Sequence, residues 1–73
     1  MGKATRTARQ LESMIMNEAR THTECSDLTG VVIARTSGDP NWTVNHLQNR
    51  TSSECANTME AIILRLQHRY SLA

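Results

Sequence analysis

Between Leu28 and Thr36 the chain reads Leu-Thr-Gly-Val-Val-Ile-Ala-Arg-Thr. Side chains branched at Cβ are stiff and fit a pleated surface better than a helix, so this segment is expected to be a strand. Successive strand residues face opposite ways, which puts Val31 and Ile33 on one side and Leu28, Val32 and Ala34 on the other. A strand that is apolar on both faces limits the rest of the fold. One layer of cover hides one face, and the second face must find more of the chain or another molecule.

Ser37, Gly38, Asp39, Pro40 and Asn41 follow, a concentration of residues that favour chain reversal. Glycine permits positive φ, and proline presets its own φ while removing a backbone donor. Beyond the turn, Trp42, Val44 and His46 alternate with Thr43, Asn45 and Leu47, which reads as a second strand with its tryptophan and valine on one face. The two strands form an antiparallel hairpin. Trp42 is expected inside, because one large aromatic supplies much of the area that a small domain buries.

A helix flanks the hairpin on each side. From Thr7 to about Thr21, Leu11, Met14, Ile15 and Ala19 recur at three- and four-residue steps, with Ala8 one turn earlier. Met16 is the large apolar residue stranded on the polar side, which marks it as a contact point. The stretch from Thr21 to Asp27 lacks periodicity and reads as a connection. After Thr51, whose spacing to Glu54 fits a capping box, Cys55, Met59, Ile62, Ile63, Leu66 and Tyr70 trace a second stripe. Ser52 and Ser53 are alternative caps, and Arg65, His68 and Arg69 gather near the carbonyl end, where positive charge is favoured.

Seventy-three residues make one small domain with a thin core. The expected fold is α+β: an α-β-β-α two-layer sandwich whose antiparallel hairpin is covered on one face by two helices, over residues 10–73. Residues 1–9 contain Lys3, Arg6 and Arg9 with no acid among them, and read as a flexible basic arm. The uncovered second face, with Leu28, Val32 and Ala34, is the expected self-association surface, through which two copies pair into a larger sheet as a homodimer.

A hydrophobic fraction of 38%, a charged fraction of 21% and a net charge of +1 describe an ordinary globular chain without general attraction to polyanions. No apolar run has the length to cross a bilayer and the start of the chain lacks an apolar leader, so the expected setting is the cytoplasm, away from membranes.

The chemistry-bearing residues are few. His22, Cys25, His46 and Cys55 are the soft ligands and thiols from which a zinc or thiol site would be built. Their spacing lacks a paired local motif, so the cysteines are read as reduced thiols, with a disulfide between them left open. The glycines, Gly2, Gly30 and Gly38, are too far apart for a phosphate loop. Glu12, Glu18, Glu24, Asp27 and Asp39 show no acid–base or calcium-loop pairing. Two glycosylation triplets, at Asn41 and Asn49, mean little without a secretory leader. With one tryptophan, one tyrosine and no phenylalanine, a sheet that stacks several bases cannot be built. Nucleic-acid binding would be weak and would rest on phosphate contacts from Lys3, Arg6, Arg9, Arg65, His68 and Arg69.

Leu11, Met14, Ile15 and Glu18 in the first helix, Val31–Ile33 in the strand, the Asn41–Trp42 step and the closing Arg65, Leu66 and Gln67 resemble a family of short uncharacterised bacterial proteins over about residues 11–72. The resemblance implies a bacterial cytoplasmic setting and a compact helix and hairpin fold. It implies no activity, cofactor or site residue. The expectation for function is a non-enzymatic domain that associates with itself and with another protein, using no cofactor.

Overall fold

The computed structural model describes residues 3–49 and 52–73. The described residues form a small α+β fold with two helices and two separate two-stranded sheets. In chain order these are β1 (Ala4–Arg6), α1 (Ala8–Ala19), a 3-10 turn (Thr23–Cys25), β2 (Gly30–Arg35), β3 (Trp42–Gln48), α2 (Ser53–Arg69) and β4 (Tyr70–Leu72). The order is thus β-α-β-β-α-β, which corrects the expected α-β-β-α.

The extra strands are β1 and β4, paired in parallel with Ala4 opposite Tyr70 and Arg6 opposite Leu72. The expected basic arm is therefore a strand from Ala4 to Arg6, followed by Thr7 as the cap of α1. Its composition gave no hint of this, because the partner strand comes from the far end of the chain. The Ala73 amide also donates to the Arg6 carbonyl at 2.8 Å. The Arg6 guanidinium lies 5.0 Å from the centre of the Tyr70 ring, a cation–π distance.

Both helices start on side-chain caps. Gln10 N–H donates to Thr7 Oγ1 at 3.1 Å while Thr7 N–H donates to Gln10 Oε1 at 2.9 Å, a reciprocal capping box. On α2 the cap is Ser52, whose Oγ accepts from Cys55 N–H at 3.1 Å. The box expected at Thr51 lies outside the described residues. The α2 stripe ends at Arg69, and Tyr70 turns to extended backbone to begin β4.

The hairpin is antiparallel, and its register decides which residues reach the core. Ile33 opposes Val44 and Val32 opposes His46, so Asn45 is an extra residue on β3, a β-bulge. The bulge resets the alternation. Expected on opposite faces, Val44 and Leu47 now both pack against the core, while His46 is exposed.

Leu11, Ile15 and Ala19 of α1 meet Met59, Ile62 and Leu66 of α2 over Val31 and Trp42 of the hairpin. Trp42, Leu11 and Ile15 are fully buried, and each of the two aliphatic side chains contributes about 1.5–3 kcal/mol by area. Leu28, expected on the uncovered face, precedes β2 and is buried in the same core. The connection after α1 is likewise tied down, by a disulfide between Cys25 and Cys55. This corrects the reading of two reduced thiols. The two residues are 30 positions apart, and only the fold brings their Cα atoms to 4.9 Å.

Candidate interaction surfaces

The disulfide settles one group of candidates. It joins the 3-10 turn to the first turn of α2, and both sulfur-bearing residues are buried. Neither cysteine is a free thiol, so the thiol or zinc site imagined from His22, Cys25, His46 and Cys55 lacks its sulfur ligands. The histidines are apart as well: His22 follows α1, whereas His46 sits opposite Val32 on the outer side of the hairpin. Among the described residues no three metal-binding side chains converge.

His22 belongs to a different cluster. Its Nδ1 lies 3.8 Å from Glu24 Oε2, and the same oxygen accepts from Thr58 Oγ1 at 2.7 Å. The Thr58 hydroxyl and the Glu24 backbone amide hold the Glu24 carboxyl below the usual glutamate range, with His22 adding to them and partial desolvation opposing. The carboxylate is in the middle of this chain of contacts. A nucleophile needs a base beside it that is itself oriented by a third group, so the order Thr–Glu–His ties the 3-10 turn to α2 rather than activating the threonine.

The basic residues do not form one patch. Lys3 Nζ is held by the Asp39 carboxylate and donates to the Gln67 carbonyl at 2.8 Å. Arg6 lies over Tyr70 and donates to the Thr5 carbonyl, and Arg65 pairs with Glu18. His68 lies in a shallow hollow beside Lys3 and Asp39, and Arg69 lines another with Arg65 and Tyr70. Arg9 stands apart from both, facing β2.

Two grooves flank the hairpin, one on each side. The first, of about 440 Å³, runs between α1 and β2. Arg9, Glu12, Met16 and Arg20 line its helical wall, and Thr29–Val32 line the other. Met16, stranded among polar residues in the sequence, lies here with Val32. The second groove, of about 280 Å³, runs between α2 and β3 and is lined by Val44, Leu47, Ala56, Ile63 and Leu64, with Glu60 as its charged residue. Near one end Gln67 Nε2 donates to the Trp42 carbonyl at 2.8 Å, which closes the β3 edge there.

Among the described residues, Val32 and Leu64 are the exposed large hydrophobic residues, at 37% and 51% exposure. Of the surface expected from the sequence, Leu28 is unavailable, Ala34 is half-buried, and Val32 alone is open. Leu64 was missed. Its signal was present, since a large apolar residue beside the α2 stripe is as anomalous as Met16 beside that of α1.

Among the described residues no helix is long and apolar enough to cross a membrane. Comparison with protein families, curated proteins and solved structures returns no match for this chain.

Proposed function

We propose that the chain is a non-enzymatic association domain that pairs with a second copy of itself through the groove between α2 and β3. The observation that carries this reading is Leu64, half exposed beside Ile63, Leu47 and Val44. Two such faces related by a two-fold axis bring Leu64 and Ile63 of one copy against the same residues of the other. Gln67 already holds the Trp42 carbonyl, so side-chain packing, rather than a continuous ladder of strands, makes the contact. The interface therefore moves from the outer face of the hairpin, where the sequence placed it, to the flank of α2.

The rival reading, phosphate binding through Lys3, Arg6, Arg9, Arg65, His68 and Arg69, has less support, because Lys3, Arg6 and Arg65 are each engaged within the fold. The disulfide also favours an oxidising compartment over the expected cytoplasm, since buried disulfides persist where thiols are not kept reduced.

Sedimentation velocity at micromolar concentration tests the reading. A species of twice the chain mass that persists in high salt supports an apolar interface. Leu64→Lys should yield a monomer with unchanged circular dichroism. A monomeric wild type, or a dimer that survives this substitution, overturns the proposal.

A further inference from the structure

We infer that the groove between α1 and the outer edge of β2 docks an extended peptide segment bearing acidic residues near its two ends, which adds a strand to β2. This site is on the other side of the hairpin from the self-association groove and does not depend on it.

The edge itself is the first argument. Among the described residues β2 pairs with β3 alone, and no hydrogen bond satisfies its other edge. Unpaired strand edges are ordinarily covered, bent away or blocked, because their free amides and carbonyls template another strand. Here the edge borders the groove of about 440 Å³ lined by Thr29–Val32.

Charge is the second. Arg9 and Arg20 make no ion pair or side-chain hydrogen bond among the described residues, whereas Lys3 and Arg65 have carboxylate partners. Arg9 lies in the first turn of α1 and Arg20 is its C-cap, eleven positions on, so they are separated along the helix axis by about 16 Å. Four to six residues of extended chain span about 13–20 Å, and an even spacing keeps both acids on the face toward α1. Glu12 sits between them on the same wall. That alternation suits a peptide with an acid at each end and none in the middle, and disfavours a uniformly anionic polymer such as a nucleic acid.

Gly30 and Gln48 supply the third. A Cβ at Gly30 would come within 2.5 Å of Gln48 Oε1, so the glutamine amide lies across the glycine backbone. Both residues line the groove, and the Gln48 side-chain amide makes no hydrogen bond among the described residues. A free carboxamide beside an open strand edge offers a donor and an acceptor to an incoming backbone. Met16 and Val32 give the middle of that segment an apolar contact.

The test is fluorescence anisotropy at low salt with a labelled peptide of alternating valine and threonine carrying two glutamates four residues apart, an even spacing that keeps both on one face. The controls are the same peptide with lysines, the same peptide with alternate amides N-methylated, and a single-stranded oligonucleotide. The glutamate peptide should bind, and the Arg9→Glu, Arg20→Glu double variant should weaken it by about tenfold while keeping the wild-type circular dichroism. N-methylation should abolish binding, the oligonucleotide should not compete, and Leu64→Lys should leave peptide affinity unchanged. Equal binding of the lysine or N-methylated peptide, or displacement by the oligonucleotide, overturns the inference. No binding of the glutamate peptide does so too.

Discussion

Asn41 and Leu72 exchange two hydrogen bonds: Asn41 Nδ2 donates to the Leu72 carbonyl at 2.9 Å, and the Leu72 amide donates to Asn41 Oδ1 at 2.8 Å. A side chain thereby does for β4 what a neighbouring strand does in a sheet. Next to Asn41, Trp42 Nε1 donates to the carbonyl of Tyr70, two residues before Leu72, at 3.0 Å. Tyr70 and Leu72 lie on the same side of β4, so these contacts fasten the small β1–β4 sheet to the start of β3 without a ladder between them.

Asn41→Ala should cost about 1–3 kcal/mol, because it leaves the Leu72 amide and carbonyl without partners in a half-buried setting. The midpoint of denaturant unfolding measures the loss. Hydrogen exchange should show it first at Tyr70–Leu72, ahead of α2.

Reduction of the Cys25–Cys55 bridge should cost about 3–4 kcal/mol on the chain-entropy account, given its 30-residue separation. Thermal melts with and without reductant give the difference. Because both cysteines are buried, alkylation of the native protein should be negligible until reductant and denaturant are present together.

Deleting Asn45 should be tolerated, with a loss below about 1 kcal/mol, since its removal erases the bulge and leaves every existing pair opposed. Deletion inside a strand normally turns the following residues to the wrong face. Here Val44 and Leu47 already share a face, so shortening keeps both inward. A large fall in melting temperature would show that the bulge itself is required.

Thr58→Val should raise the Glu24 carboxyl toward the ordinary glutamate value, read by a carboxyl-carbon NMR titration, because the Thr58 hydroxyl is the main cause of its depression. A depressed folded value means that the carboxylate form is favoured by folding. The stability it contributes is complete above the unfolded value of about 4.3 and is lost as pH falls through the folded value. The variant should therefore lose less stability than the wild type on acidification through that window.

The sequence alone determined the elements whose signals are local. The stripe Leu11, Ile15 and Ala19, the stripe Cys55, Met59, Ile62 and Leu66, the branched run Val31–Ile33 and the turn at Gly38 each carry their own periodicity or backbone preference, and each forms where its pattern predicts. The tertiary structure decided what depends on partners distant in the chain. Ala4–Arg6 is a strand because Tyr70–Leu72 lies alongside it, and the cysteines bond because a turn and a helix start converge. Leu47 faces inward because a bulge resets the period of two, and that period, read along one strand, carries no record of where its partner skips a residue. The candidate surfaces follow the same division: Met16 was conspicuous as an apolar residue on a polar face, but only packing could show that Leu28 is hidden, that Leu64 is open, and that Arg9 and Arg20 face an unpaired edge.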